Sequence, residues 1–344
     1  MSRLRTEAPR ASRLGALVSL GALLLASCAT EPSLHVTGLP SIGISVPLHT
    51  SACTLSGSCI ALGTTGSDAP PTSVGEYRQS NGAWSTLAVP NAPSALITAA
   101  SCLATQCLIG GFEPSGNLLW NYNASSQSVA ALDSLRGGQG IRALSCFGLS
   151  SCAAVVTDGV NTISKIAIST DDGATWSSEL PMPWSSRANV TDVACTNVRT
   201  CMVGATSDSN AVILEVTFDG GSTWTARRTP STWTNLTSLT CSKRDCVGLV
   251  NTTSKSYAVT TAAFGRRWRA TKLPAAVNAL ACASISRCVA VGETGPNNPW
   301  FATDDAGQIN VARLKYVPSP LVSVACARIV CTAIGVSTVL AFRP

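Results

Sequence analysis

Fifteen cysteines are the residues of this 344-residue chain best suited to covalent chemistry. Fourteen of them form close pairs with members five or six positions apart: Cys53/Cys59, Cys102/Cys107, Cys146/Cys152, Cys195/Cys201, Cys241/Cys246, Cys282/Cys288 and Cys326/Cys331. Thiols at this spacing can meet across a tight turn. Metal binding is the alternative, but the chain has only two histidines, His35 and His49, and no Cys-x-x-Cys. We therefore expect seven disulfides and no metal site.

The fifteenth cysteine, Cys28, follows a leader sequence. Four arginines stand within the first thirteen residues, and an apolar run from Leu14 to Ala26 follows them. That run is shorter than the roughly 20 residues that span a bilayer. The junction Leu25-Ala26-Ser27-Cys28 resembles a bacterial lipobox. It predicts a cleaved signal peptide over 1–27, a lipid-modified Cys28 carrying palmitate-type acyl chains, and a tether over 28–33.

An ordinary secretory signal is the alternative to the lipobox, and both imply export. The lipobox interpretation places the protein at the outer face of a bacterial cell membrane, within the envelope. Without the leader, 20 basic and 17 acidic residues remain, a net charge near +3. This balance does not indicate binding to nucleic acid or anionic lipid.

The cysteine pairs recur along the whole chain after residue 34. Their first members are separated by 49, 44, 49, 46, 41 and 44 residues, which is a period of an array or a propeller. Each unit reads as strand, cysteine-clamped turn and strand, then a second strand pair such as 211–216 and 224–226. The pattern predicts an all-β, seven-bladed β-propeller of four-stranded blades over 34–344. With 45% hydrophobic residues the chain can fill such a core.

The two ends of the chain predict how the ring closes. The last unit stops at 338–342, where its third strand should end, and 34–40 has the character of a fourth strand with its proline loop. We expect these N- and C-terminal strands to share one blade. Closure removes the free sheet edges that otherwise template aggregation.

A second motif stands between the third and fourth strands of some units. The pattern Ser/Thr-x-Asp-x-Gly-x-Thr-Trp is complete at 169–176 and 217–224, and 303–310 keeps only part of it. Its fixed positions are Asp171, Gly173, Trp176, Asp219, Gly221 and Trp224, with Asp305 and Gly307 in the degenerate copy. The carboxylate accepts backbone N–H groups across the turn, and glycine takes the positive φ. We expect a structural role, on the same face as the cysteine turns.

On these motifs the chain resembles the Asp-box (BNR) repeat propellers, and among them the photosystem II stability and assembly factor type of extracytoplasmic propeller. The resemblance covers all seven repeats and implies the fold. It does not imply one activity, because Asp-box propellers include sialidases, endoglucanases, sorting receptors and assembly factors.

The face opposite the cysteine turns is the expected ligand face. Trp184, Trp233 and Trp300 lie in or beside its loops, where they could stack on sugars or anchor a peptide; filling gaps between blades is the alternative. The acids there, among them Glu113, Asp158 and Glu293, are scattered singly, and no catalytic set is identified.

We therefore expect a monomeric, membrane-anchored lipoprotein that acts as a non-catalytic binding or assembly scaffold. Its partner is an envelope protein or a glycan, and no cofactor is implied. The alternative is a carbohydrate-active hydrolase of the Asp-box group, sialidase-like or glucanase-like, which needs two or more carboxylates converging over the central channel.

Overall fold

The computed structural model describes most of the chain after residue 47. The described residues are 48–64, 73–78, 84–90, 95–113, 116–133, 135, 140–158, 163–183, 188–273, 275–293, 299–305, 308–313, 320–327, 330–335 and 339–342. By its contacts, Leu34–Pro344 forms one compact unit. The predicted signal peptide over 1–27 and the predicted tether over 28–33, with Cys28, lie outside the described residues. Across the described ranges, no helix has the length and apolar character needed to cross a membrane.

Seven antiparallel sheets follow one another along the chain, and we number them as blades 1 to 7. The strands of blades 1 to 3 are β1 (Leu48–Cys53), β2 (Cys59–Thr64), β3 (Ser73–Arg78), β4 (Trp84–Ala88), β5 (Leu96–Cys102), β6 (Gln106–Glu113), β7 (Gly116–Asn123), β8 (Ser128–Leu132), β9 (Gly140–Phe147), β10 (Ser151–Asp158), β11 (Ile163–Ser169) and β12 (Leu180–Pro181). The predicted all-β propeller is confirmed.

Blades 4 to 6 also have four strands each, whereas blade 7 shows three in the part of the chain described. Their strands are β13 (Ala188–Asn197), β14 (Thr200–Ser207), β15 (Val212–Thr217), β16 (Thr225–Arg227), β17 (Asn235–Ser242), β18 (Asp245–Asn251), β19 (Ser256–Ala262), β20 (Arg267–Lys272), β21 (Ala276–Ser284), β22 (Arg287–Glu293), β23 (Pro299–Asp305), β24 (Gln308–Arg313), β25 (Leu321–Ala327), β26 (Val330–Gly335) and β27 (Val339–Phe342). Every sheet is a simple meander in chain order.

The cysteine pairs join the first two strands of every blade. In each blade the register sets the two cysteines directly opposite one another, as at Cys195 and Cys201, and all seven predicted pairs are disulfides. Their Cα atoms lie 3.9–4.1 Å apart. Each bridge therefore closes the first hairpin at its turn, where the short loop length had predicted it.

The second cysteine of every pair is also a buried core residue, which the sequence analysis did not predict. These seven residues are 0–3% exposed: Cys59, Cys107, Cys152, Cys201, Cys246, Cys288 and Cys331. Each stands at or next to the start of a second strand, which neighbouring blades cover on both faces. Cys107, Cys152, Cys288 and Cys331, for example, belong to four different hydrophobic clusters. The cysteines therefore clamp the turns as predicted, and the second member of each pair is also a packed, unreactive part of the core.

A β-bulge interrupts the first strand of every blade three to five residues before its cysteine. In blade 4 the register shifts between Val190 and Asp192, and in blade 5 between Leu236 and Ser238. The same irregularity occurs in the other five blades. A bulge bends a strand and re-aims the side chains beside it. Here it sets the residue that follows it against the next blade.

The core lies between blades and is built from the second strands, which are apolar on both faces. Blade 4 contacts blade 5 through Met202, Leu214 and Leu236, all of them buried. Gly204 permits this contact, because a Cβ atom built on it would stand 2.0 Å from Leu236 Cδ2. A side chain at this position would therefore displace the buried Leu236 from the contact between the blades.

The described residues also show the ring closing between blades 7 and 1. Ser51 on β1 and Ser323 on β25 share a hydrogen bond of 2.9 Å between their hydroxyl oxygens. Leu48, Ala61 and Ile334 form a buried apolar cluster across the same junction. The predicted fourth strand of blade 7, residues 34–40, lies outside the described residues and stays a prediction.

Candidate functional site

A channel runs along the axis of the ring. Its cavity of about 320 Å³ is lined by the first strand of every blade, including the first cysteine of each pair. Most of the lining side chains are small, such as Ala100, Ser145, Ala194 and Ala281. The repeat therefore lines the channel with seven versions of one short segment that ends in cysteine.

Asp192 is the one carboxylate among the described residues that line this channel. It follows the bulge of blade 4 and is half-buried. Its Oδ1 accepts a hydrogen bond from the N–H of Val193 at 2.8 Å, and its Oδ2 accepts one from the N–H of Leu239, in blade 5, at 2.7 Å. Burial in the channel wall raises the pKa of Asp192 to about 7, although both N–H donors act to lower it.

The neighbouring blades show what Asp192 replaces. In blade 5 the equivalent residue is Ser238, whose Oγ accepts a hydrogen bond of 3.2 Å from the N–H of Leu280 in blade 6. A serine two positions nearer the first cysteine makes a similar bridge between blades 3 and 4: Ser145 Oγ accepts a hydrogen bond from the N–H of Cys195 at 3.0 Å. Hydroxyl oxygens thus join one blade to the next, and blade 4 makes the same bridge with an ionisable group.

Sequence reasoning did not single out Asp192 as a site residue. The signal was present, because aligning the seven units on their first cysteine puts an aspartate at a position that elsewhere holds Thr, Ala or Ser. A position that is neutral in six repeats and acidic in the seventh is the kind of departure from a repeat that marks a special residue.

The two complete Asp boxes have the hydrogen bonds that their pattern predicts. Asp219 Oδ1 accepts from the Thr217 hydroxyl at 2.8 Å and from the N–H of Thr223 at 2.9 Å, and its Oδ2 accepts from the Thr223 hydroxyl at 2.6 Å. These donors lower the pKa of Asp219 to about 2. Asp171 is held in the same way by Ser169 and Thr175, which lower its pKa too.

The glycine of the box packs on the preceding blade. Gly221 has φ +101°, and a Cβ atom there would stand 2.6 Å from Ile166 Cγ2 of blade 3. Trp176 Nε1 donates to the carbonyl oxygen of Gly173 at 3.0 Å, and Trp224 is half-buried beside blade 3. The boxes therefore staple turns and blades together. The side chain of Asp305, and Gly307 as a whole, lie outside what the structure describes.

The box turns and the cysteine turns lie side by side on one face of the ring, which we call the disulfide face. The N–H of Asp172 donates to the carbonyl of Ser150 at 2.8 Å, and the N–H of Gly220 donates to that of Arg199 at 2.9 Å. The opposite face, formed by the turns between second and third strands and by the connections between blades, we call the loop face. This is the face on which the sequence predicts ligand binding.

The tryptophans expected on the loop face have different positions. Trp233 is 4% exposed, and its ring centroid lies 5.6 Å from that of Trp268 in blade 5. It fills a gap between blades, the alternative that the sequence left open. Trp184 lies outside the described residues, as does the side chain of Trp300, whose backbone pairs with Gly292. A ligand role for these two stays a prediction.

The three loop-face acids lie at equivalent places in different blades. Glu113, Asp158 and Glu293 are the last residues of β6, β10 and β22, the second strands of blades 2, 3 and 6. They occupy the ends of separate strands around the ring, rather than one shared hairpin. Among the described residues, no group of three His, Cys, Asp or Glu side chains is arranged to hold a metal ion.

Comparison with known proteins identifies the fold alone. No family model and no curated protein matches the chain. YCF48 bound to a D1 peptide matches 95% of this chain over 100% of its own, with 16% identity and a TM-score of 0.62. Virginiamycin B lyase from Staphylococcus aureus matches 89% over 98% of its own, with 12% identity and a TM-score of 0.63.

A third solved structure, also of an enzyme, gives a similar result. The GH74 enzyme of Niastella koreensis matches 86% of this chain over 52% of its own length, with 10% identity and a TM-score of 0.60. Binding and catalytic proteins therefore share this architecture, and the fold does not choose between them. The chain is a seven-bladed β-propeller whose blades each carry a disulfide in the first hairpin.

Proposed function

We propose that this protein is an extracytoplasmic lipoprotein, anchored through Cys28, whose propeller is a non-catalytic binding or assembly platform for an envelope protein or a glycan. The observation that carries the proposal is the composition of the channel wall. Glycoside hydrolysis needs two carboxyl groups about 5 to 10 Å apart. The described residues of the channel wall include one carboxyl group, that of Asp192, and both of its oxygens already accept hydrogen bonds from backbone N–H groups.

The structural neighbours support the binding role by precedent. YCF48 was solved with a peptide of D1 bound, so a propeller of this shape can hold a segment of another protein. In our proposal the corresponding surface is the loop face. Connections between blades vary there without disturbing the disulfide-clamped hairpins.

The hydrolase alternative has one observation in its favour. A carboxyl group with a pKa near 7 is suited to donate a proton at neutral pH, and Asp192 is such a group. As a catalyst it still requires a second carboxylate, and the described lining residues supply none.

A glycan array with a turnover assay separates the two functions. A secreted variant that begins at residue 29, and therefore lacks Cys28 and its predicted lipid, is applied to immobilised envelope glycans. The supernatant is then analysed for released sugars. We expect no released sugar. Retention on defined glycans would mean that the partner is a glycan, and no retention would leave an envelope protein as the partner. Release of sugar by the wild type that is abolished in Asp192→Asn and retained in Asp208→Asn would establish the hydrolase and refute the scaffold.

A further inference from the structure

The disulfide face carries most of the exposed apolar side chains. Leu55, Leu149, Val198 and Phe218 are 49%, 86%, 38% and 49% exposed, and all four stand on turns of this face. The fifth large hydrophobic exposed among the described residues, Leu96 at 40%, begins β5 at the opposite end. Single exposed apolar residues are ordinary, but four on the turns of one face make it the candidate interaction surface.

Cations share the face with these apolar residues. Arg199, Lys243, Arg244 and Arg266 are exposed on turns of blades 4 and 5. Arg267 and Arg287 are exposed at the first position of the adjoining strands β20 and β22. The small net charge of the whole chain conceals this concentration. Near a surface, the local distribution of charge decides the partner more than the total.

The contacts around Phe218 show apolar and basic groups assembled together. The Arg227 guanidinium lies 6.0 Å from the Phe218 ring centroid, and Phe218 meets Phe264 edge to face at 5.7 Å. Arg227 Nε donates to the carbonyl of Phe264 at 2.6 Å. Burial and the nearby Arg266 lower the pKa of Arg227, whereas Glu215 raises it. The positive charges of Arg227 and Arg266 therefore lie close together, and an anionic partner would reduce the repulsion between them.

The acids of this region only partly compensate these cations. Asp219 lies in the same turn as Phe218 and carries a negative charge, which its hydrogen bonds from Thr217 and Thr223 stabilise. Asp245 begins β18 beside Arg244, and Asp171 and Asp172 lie further around the ring in blade 3. Asp304 and Asp305 end β23 and pair in register with Cys288 and Arg287. Six cations thus stand against four acids on the part of the face formed by blades 4 to 6, which is basic on balance and also carries exposed apolar side chains.

We propose that the disulfide face docks on an anionic phospholipid bilayer, with Leu149 and Phe218 entering the interface and the cations of blades 4 and 5 meeting headgroup phosphates. Apolar groups at the tips of turns suit a bilayer, whose interface accepts them without a matching pocket. The flat array of cations around them fits the negative surface of anionic lipid. The idea rests on the envelope location proposed above, but does not depend on what the loop face binds.

The predicted closure of the ring agrees with this orientation. β27 runs toward the disulfide face, because it is antiparallel to β26, which starts there. A fourth strand antiparallel to β27 would begin at the disulfide face. Residues 34–40 are predicted to form that strand, and Cys28 precedes them by six residues in the sequence.

Vesicle sedimentation tests the proposal on the secreted chain from residue 29 onward, which has no lipid anchor and keeps the whole compact unit Leu34–Pro344. We expect it to sediment with phosphatidylcholine vesicles containing about one third phosphatidylglycerol, and to stay in solution with phosphatidylcholine alone. Raising the salt concentration should release it. Failure to bind the anionic vesicles would overturn the proposal and leave the platform function intact.

Two sets of matched variants locate the surface. Lys243→Gln/Arg244→Gln/Arg266→Gln should weaken partitioning about a hundredfold, since each cation near an anionic surface contributes about fivefold. The control Arg228→Gln/Lys255→Gln/Lys272→Gln removes as many exposed cations elsewhere on blades 4 and 5. It should bind like the wild type. Equal losses in the two triple variants would contradict a defined docking face.

A second pair of variants tests the contribution of the apolar side chains to vesicle binding. Leu149→Ser/Phe218→Ser should weaken partitioning at least tenfold while the far-UV spectrum stays that of the folded wild type. Thermal unfolding measures separately what the lost Phe218–Phe264 contact costs. Leu96→Ser is the control, an exposed apolar residue at the other end of a blade. Binding unaffected by the double variant would show that a bilayer does not receive these residues and would refute insertion.

Discussion

Asp192 is expected to make the stability of the folded protein depend on pH, and Asp192→Asn should remove that dependence. In the fold its pKa is raised to about 7, because burial against the channel wall partly desolvates the carboxylate, against an ordinary value near 3.8. The native state therefore binds more protons than the unfolded state between these two pH values. Stability contributed by the protonated acid is fully present at low pH and is lost as the pH rises through 7.

The size of the effect follows from the difference between the two pKa values. About three pKa units at 1.36 kcal/mol each amount to about 4 kcal/mol over the full window, of which about 3 kcal/mol falls between pH 5 and pH 8. Urea unfolding at constant ionic strength measures it. The free energy of unfolding of the wild type should fall by about 3 kcal/mol more than that of Asp192→Asn as the pH is raised from 5 to 8.

The control for this experiment is Asp208→Asn, which removes an exposed carboxylate of the same blade. It should keep the pH dependence of the wild type. If Asp192→Asn and the wild type have parallel profiles, the carboxylate is hydrated in the channel and ionised at both pH values. The reasoning from burial would then be refuted, along with the suggestion that this group could donate a proton.

The remaining predictions concern stability and are checked by chemical or thermal unfolding. Gly221→Ala should cost more than 1 kcal/mol beyond Gly57→Ala, because both have positive φ, but only at Gly221 does a Cβ meet a packed side chain; equal costs would deny the close packing. Replacing Cys241 and Cys246 together by serine should cost about 2 kcal/mol or more, from the short loop that their disulfide closes and the burial of Cys246; an unchanged midpoint would mean that the hairpin needs no clamp. Trp233→Ala should cost about 3–5 kcal/mol, since the indole is buried between blades; a stable variant with altered ligand binding would instead restore its ligand role.

The fold was predictable because the repeat carries it. Cysteines that must face each other across a turn determine where the first hairpin of each unit lies, and seven such hairpins at a period near 45 residues leave room for four strands per unit. The Asp boxes were predictable for a similar reason. Residues such as Asp219 and Thr223 contact each other within one turn, so their spacing alone determines the hydrogen bonds.

The site was less predictable, because it depends on contacts between repeats. Whether Trp233 faces solvent or Trp268 is decided by how blade 4 meets blade 5, which no local pattern encodes. The burial of cysteines such as Cys152 depends on neighbouring blades in the same way. Asp192 reaches the channel only because a bulge re-aims the first strand, and bulges leave little trace in the sequence. Exposed residues such as Leu149 likewise gain meaning only when the turns of several blades are seen on one face.

Crosslinking of the lipidated protein in its own envelope, followed by purification and identification of its partners, tests the central claim most directly. We expect a stoichiometric protein or glycan partner that is lost in Trp184→Ala/Trp300→Ala, the tryptophans predicted to serve the loop face, and retained in Phe218→Ser on the disulfide face. Recovery of the protein without any partner, together with enzymatic turnover of an envelope glycan, would contradict the platform function.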